Sequence, residues 1–404
     1  MKRTNRKPGP MTTAIHGGET PDPATGASAP PIHMSSTFVA EDVAGFSAHD
    51  LDDAAEGFIY ARWGNPSVAM LEQKIAALQG TGDCLCLASG MAAATAIFLT
   101  FLSAGDHVVI SDVSYAGVAE LARETLPRLG IEVTMVNMSD LDAVAAAIRP
   151  TTRLVHSETP VNPIMRLTDL RAVSDLAHEA DALHSCDATF ASPLGMDAAG
   201  LGVDLVMHSI TKYIGGHGDA VGGAVAGRAD LIARMRKEAA IHHGGVLSPF
   251  NAWLIARGAA TLPLRMKAHQ AGAATIAAWL EAHPAVMQVM YPGLPSHPQH
   301  ELAARQMTNF SGMISFQVGS AENGRKIARR MIDRLEVIHY AVSLGHHRSL
   351  IFWMETGPLM ETSFRLEGTQ QASYRDYAGD GIFRLSVGLE DAEDLIADLE
   401  DALR

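Results

Sequence analysis

Apolar and polar positions change rhythm three times along the 404 residues. The first forty are rich in Pro, Gly, Ser and Thr and hold no sustained helical period, which predicts either a disordered segment or an arm that needs a partner to order it. A helical period begins after Asn65-Pro66, where Ser67 is placed to cap a helix over 68–78 and Gly80 and Gly82 to stop it. From there short apolar runs (84–88, 107–111, 132–136, 153–157, 182–187 and 205–208) alternate with Ala- and Leu-rich helical stretches at 91–102, 117–129 and 140–148. That βαβα rhythm predicts a mostly parallel sheet covered on both faces. After Ser248-Pro249 the pattern turns helical over 250–258 and 265–283, the second long enough to join two domains. Beyond Pro292-Gly293 come a strand-like 312–318, a helix 323–331, a strand-like 336–340 and a closing helix 390–403, a smaller α/β domain with antiparallel pairing. The expected organisation is an arm over 1–63, a large domain over 64–260 and a C-terminal domain over 261–404.

Composition narrows the function classes. Hydrophobic residues at 47% and charged residues at 19% suit a globular chain with ample core. A formal net charge of −14 speaks against nucleic acid or an anionic membrane as partner. The longest apolar stretches are broken well short of a membrane span, and no apolar signal segment follows the basic start, so the cytoplasm is the expected location. Three cysteines, Cys84, Cys86 and Cys186, give no even disulfide framework.

Chemically loaded residues cluster just past the strand-like runs, where open α/β sheets gather their active groups. Ser89-Gly90-Met91 opens an Ala-rich helix, and a Ser-Gly turn at a helix start offers free N–H groups and a positive dipole end to a phosphate. Asp187 ends the run 183–187; a carboxylate there suits the ring nitrogen of a pyridine cofactor, keeping it protonated as an electron sink. Ser209, Thr211 and Lys212 follow 205–208, and a partly desolvated lysine has the lowered pKa needed to form a Schiff base. Each feature alone is weak; the order phosphate turn, aspartate, lysine along one alternating pattern is informative.

The blocks Tyr60-Ala-Arg62-x-Gly64-Asn65-Pro66, Ala88-Ser89-Gly90-Met91, Glu158-Thr-Pro160-x-Asn162-Pro163, His208-Ser209-x-Thr211-Lys212-Tyr213-x-x-Gly216-His217-Gly218-Asp219 and Arg384-Leu-Ser-Val-Gly388 resemble, in order, the Cys/Met-metabolism pyridoxal-phosphate enzymes. That family includes cystathionine γ-synthase, cystathionine lyases, methionine γ-lyase and homoserine-ester sulfhydrylases. The resemblance runs from about Thr13 to the C-terminus. It implies a fold-type I enzyme bound to pyridoxal 5′-phosphate, with Lys212 as Schiff-base lysine and proton carrier. Asp187 is implied as partner of the ring nitrogen, with Thr189 beside it, and Tyr115 as the residue stacked on the ring and the acid for the departing group. Gly90 and Met91, with Ser89, Ser209 and Thr211, would hold the phosphate. Tyr60 and Arg62 would reach the phosphate of a neighbouring subunit, in a homotetramer built from two dimers. Asn162 would lie near the ring hydroxyl and Arg384 would hold the substrate α-carboxylate, a planar permanent cation being the suitable partner.

Substrate choice is expected to turn on the distal end of the pocket. Where cystathionine-handling relatives carry Arg, five residues after the stacking Tyr, this chain has Glu120; where methionine γ-lyases carry Cys, it has Gly117. Ile59 and Val342, the latter before Ser343-Leu344-Gly345, match the methionine γ-lyase pattern, and Val342 and Ser343 join the expected substrate set. Glu120 either faces the pocket, where a cationic tail would relieve a burial cost of roughly several kcal/mol, or points to solvent on the 117–129 helix, or pairs with Arg123 or Arg348. The first reading points to L-canavanine, whose γ-carbon bears a guanidino-oxy leaving group, with homoserine and hydroxyguanidine as products. Methionine γ-elimination and γ-replacement on an O-acylhomoserine stay open, as does a pyridoxal-phosphate-binding relative without activity. The segment 350–377 matches the family poorly, and its Glu355, Glu361 and Arg365 have no assignment.

Two other signals point elsewhere and are weaker. Among eighteen histidines, His242-His243 and His346-His347 are adjacent and diverge in direction, so no metal site is expected. Gly216-His-Gly218-x-x-Val-Gly222-Gly223 lacks the strand-to-helix context of a dinucleotide loop.

Overall fold

The structure, a computed structural model, describes residues 8–39 and 57–404. Its first sheet has seven strands in the order β1-β7-β6-β5-β4-β2-β3. These are β1 Asp83–Leu87, β2 His107–Ser111, β3 Glu132–Val136, β4 Thr152–Glu158, β5 Leu183–Asp187, β6 Leu205–His208 and β7 Gly223–Gly227. Strands β2 to β6 pair in parallel, and β7 runs antiparallel to both β1 and β6. Parallel pairs need crossovers, and the helical stretch 116–128 between β2 and β3 and the helix Leu170–Glu179 between β4 and β5 supply two of them. The expected mostly parallel sheet is present, with strand edges shifted by a residue at most.

Strand β7 escapes the apolar-run reading because it is Gly-Ala-Val-Ala-Gly, with little bulk. Its small residues have a packing reason. A Cβ on Gly223 would lie 2.1 Å from the Ser89 carbonyl oxygen, so only glycine lets this strand pass beneath the turn at 89–91.

The second sheet has the order β10-β11-β12-β9-β8, from Gln288–Met290 (β8), Met313–Gln317 (β9), His339–Tyr340 (β10), Leu350–Glu355 (β11) and Gly381–Ser386 (β12). All its pairs are antiparallel except β10–β11. The 21-residue helix Leu262–Ala282 stands between the two sheets in sequence and packs on β8 and β9. Among the described residues no helix is long and apolar enough to cross a membrane.

Three local expectations are corrected. The helix Pro66–Gln79 is capped by Asn65, whose side chain accepts from the Ser67 N–H at 2.9 Å; Ser67 lies inside the helix and accepts from the His33 N–H instead. Gly80, at φ +73°, closes it as expected. The helix expected over 117–129 begins at Ala116 but widens to a π-type turn over Leu121–Thr125, with the Leu126 N–H reaching the Leu121 carbonyl, just ahead of Pro127, which has no N–H to continue the ladder. The arm also packs on its own chain. Pro10–His16 is helical, Ala14 is fully buried, and the buried Lys74 ammonium binds the Ala14 and Ile15 carbonyls and pairs with Glu19 at 3.0 Å.

Candidate active site

The carboxyl ends of β1, β4, β5 and β6 open into a cavity of about 550 Å³ between the two sheets. Ser89, Gly90 and Met91 follow β1, Glu158 ends β4, Asp187 ends β5, and Ser209, Thr211 and Lys212 follow β6. From the second sheet Arg384 enters from β12 and Phe352 and Met354 from β11, while Val342 and Ser343 enter from the loop before β11. Tyr115, Asn162 and Thr189 complete the set expected there.

Lys212 sits at the centre of this wall. Its ammonium lies 2.9 Å from the Ser343 hydroxyl oxygen. Burial, helped by the positive Arg384, pushes its pKa down to about 8. A free amine is therefore reached near neutrality, as a nucleophilic lysine requires.

Arg384 is almost wholly buried, and burial lowers its pKa to about 10, which leaves it charged at neutral pH. Its guanidinium donates to Asn162 Oδ1 at 2.7 Å and to the Ser343 carbonyl at 3.2 Å, which fixes the plane it presents to the cavity. Glu158 braces the opposite side. Its two oxygens accept from the backbone N–H groups of Asn162 (2.7 Å) and Tyr115 (2.6 Å), so one carboxylate positions both residues. Burial, then repulsion from Asp187, raises its pKa well above the ordinary range.

Asp187 accepts two bonds at one oxygen, from the Thr189 N–H (2.9 Å) and hydroxyl (2.5 Å), and the Thr189 oxygen in turn accepts from the Ser209 N–H at 2.8 Å. Burial raises its pKa, and no cationic side chain offsets that cost. A protonated pyridine nitrogen is the partner this carboxylate lacks. At the helix Gly90–Phe101, Ser89 caps the Ala92 N–H at 3.1 Å and leaves the Gly90 and Met91 N–H groups for an anion. A Cβ on Gly90 would sit 2.9 Å from that of Ser209, so the turn and the Ser209 hydroxyl converge on one point. These residues fit pyridoxal 5′-phosphate: the helix start and Ser209 would hold its phosphate, Asp187 its ring nitrogen, Lys212 its aldehyde carbon and Tyr115 its ring face.

Thr211 lines the cavity with its hydroxyl otherwise engaged, and three other expected residues lie outside it. The Thr211 hydroxyl both donates to the Gly222 carbonyl (3.1 Å) and accepts from the Gly222 N–H (3.0 Å), so it ties the loop before β7 rather than offering a free donor. Glu120 is exposed, lies outside the cavity lining and accepts from the Ser363 hydroxyl at 2.8 Å. Tyr60 and Arg62 do not line the cavity; Arg62 borders a separate one of about 320 Å³ with Trp63, Glu72 and Arg236 and donates to the Ile241 carbonyl. Sequence reasoning missed Glu158 as a brace and Phe352, Met354, Leu359 and Phe364 as wall. Along β11 Ile351 and Trp353 enter the core while Phe352 and Met354 face the cavity, an alternation that the unbroken apolar run Leu350–Met354 does not show.

A lysine amine, a buried carboxylate short of a cation and a helix start with free N–H groups, at the strand ends of a sheet ordered in this way, define a fold-type I pyridoxal-phosphate enzyme. The family model of Cys/Met metabolism PLP-dependent enzymes matches residues 11–404, and the chain belongs to that family. It is 42% identical to the canavanine γ-lyase of Pseudomonas canavaninivorans, over 97% of this chain and 95% of that one. It is 43% identical to the cystathionine γ-synthase of Mycobacterium bovis, over 98% and 97%. The structure of metB from Corynebacterium glutamicum superposes with a TM-score of 0.87 at 37% identity, covering 98% of both chains. The protein is thus a pyridoxal-phosphate enzyme of γ-elimination or γ-replacement.

Proposed function

We propose that the chain catalyses γ-elimination on a γ-substituted L-amino acid and that L-canavanine is its substrate, with water giving homoserine and hydroxyguanidine. The observation that carries this reading is the wall facing Lys212. Beyond Arg384 it includes Val221, Val342, Phe352, Met354, Leu359 and Phe364, and both oxygens of Glu158 are taken by backbone N–H groups while Asp187 is set aside for the cofactor ring nitrogen. A permanent guanidinium such as that of arginine would be stranded against such a wall. The guanidino-oxy group differs, because its oxygen withdraws electrons and makes it far less basic. It enters as a neutral planar group that stacks on Phe352 or Phe364. The 42% identity to a canavanine γ-lyase supports the same substrate.

Arg384 takes the α-carboxylate and so orients the α-hydrogen toward the Lys212 amine. Bound pyridoxal phosphate supplies the electron sink that makes the hydrogens at Cα and then Cβ acidic. Lys212, with its lowered pKa, removes each in turn as a general base. Tyr115, anchored through its N–H to Glu158, is the residue placed to hand a proton to the departing group. Once the group has left, water adds at the γ-carbon and Lys212 returns protons to Cβ and Cα, which gives homoserine.

The same wall would accept a thioether, so methionine is the direct competitor. The test is turnover of L-canavanine, L-methionine and an O-acyl-L-homoserine, with and without sulfide, followed by product identification. Hydroxyguanidine and homoserine from canavanine, at a kcat/KM above those for the other two, is the expected result. Methanethiol with 2-oxobutyrate as the dominant products, or a sulfide-dependent thioether or thiol product, would replace this reading.

A further inference from the structure

Among the described residues the adjacent histidines His346-His347 join no cluster of metal-ligating groups, and one of them stands behind the reacting lysine. The Lys212 Nζ hydrogen is donated to Ser343 Oγ at 2.9 Å, and Ser343 Oγ lies 3.2 Å from His346 Nε2. Room for the imidazole is made by Gly218, at φ +71°, where a Cβ would fall 2.7 Å from His346 Cε1. Gly218, in the Gly-His-Gly stretch after Lys212, thus admits this ring, while Gly216 makes way for Arg265. Ser343 is itself held at φ +104°, in the left-handed region that non-glycine residues seldom adopt, which directs its short side chain between the two bases.

We propose that His346 is a positioning residue that relays protons to and from Lys212 through the Ser343 hydroxyl. Ser343 Oγ accepts from Lys212 Nζ and donates its own hydrogen to the neutral His346 Nε2. When Lys212 has taken a proton from the substrate, the hydroxyl proton passes to Nε2 and the Nζ proton replaces it on Oγ. The net result is one proton moved from lysine to histidine with no bond left unbalanced. His346 is half-buried, so its proton can then leave to water. The surroundings favour the neutral ring: burial first, then Lys212, His347 and Arg348 lower its pKa, and Asp219 alone opposes them. A relay matters because one lysine must serve both Cα and Cβ and still exchange with solvent between turnovers.

This inference rests on the family chemistry and not on canavanine as substrate. Its test therefore uses L-alanine, which has a labile α-hydrogen and no γ-carbon. In the holoenzyme the exchange of the α-hydrogen with deuterium oxide is followed by NMR for the parent, His346→Gln and His346→Ala. Gln keeps a hydrogen-bond acceptor but takes up no proton. Both variants are expected to exchange about tenfold more slowly, the range lost with supporting residues around a reactive centre, and added imidazole should restore His346→Ala. The pH midpoint of the bound cofactor's absorbance should also move down in His346→Ala, because the proton on Nζ has lost its acceptor chain. Exchange in His346→Gln equal to the parent, or no rescue of His346→Ala by imidazole, overturns the relay. Loss of cofactor absorbance in both variants would make His346 a structural residue and overturns it equally.

Discussion

Glu120 and Lys212 carry opposite charges and meet opposite fates. Lys212 is drawn into a wall where burial lowers its pKa to about 8, and that lowering turns an ordinary surface cation into a base. Glu120 sits one helical turn past Tyr115 but stays exposed, held by Ser363, whose neighbour Phe364 forms part of the wall. An acid in the sequence at that position invites a cationic tail; the fold instead uses it on the outer side of the wall. Replacing Glu120 with Gln keeps an acceptor for Ser363 and removes only a solvated charge. Canavanine turnover in Glu120→Gln is therefore expected within about threefold of the parent, since exposed charges contribute little. A selective loss of canavanine over methionine, measured as the ratio of kcat/KM values, would bring Glu120 back into recognition.

The central strands carry their own titration. β4, β5 and β6 bury His156, His184 and His208, each bonded only to neutral side chains: Ser185, Ser157 with Ser174, and Gln79, all at 2.8 Å. Burial lowers their pKa values to about 4, 3 and 4, and those of His269 and His297 to about 4. A folded pKa below the unfolded value of about 6.5 means that the unfolded chain binds the proton first. The stability these rings contribute is complete above that pH and is lost as the pH falls toward 4, at about 1.4 kcal/mol per ring and pH unit. Glu72, Glu158 and Asp187, raised by burial, work in the opposite direction but are fewer. Denaturant midpoints should fall steadily from pH 6.5 to 4.5 with net proton uptake on unfolding. A flat profile would mean that these rings titrate normally in the folded state.

Elements also differ in how far the sequence exposes them. β2, β3 and β6 are bulky apolar runs bounded by turns, and their bounds are legible to the residue. β7 is not, because the turn at 89–91 presses on it and permits only small side chains. β11 escapes because Leu350–Met354 is apolar on both faces, which hides the period of two. There the wall residues were lost together with the strand that presents them.

At the scale of the molecule, the cofactor end of the site comes from one sheet, in chain order, which is why Ser89, Asp187 and Lys212 can be read as a set. The substrate end joins two sheets: Arg384 from β12, Phe352 from the paired position on β11, and Ser343 from the loop before it. No local pattern states that β11 and β12 meet the first sheet at Lys212, so Glu158, His346 and the apolar wall had to await the structure. Tyr60 and Arg62, legible as a motif, lie away from this chain's own cavity. Everything else is arranged around one amine. The measurement that tests it most directly is borohydride reduction of the holoenzyme followed by peptide mass mapping. The account predicts the reduced cofactor on the peptide bearing Lys212 and its loss in Lys212→Ala; cofactor fixed to another lysine would contradict it.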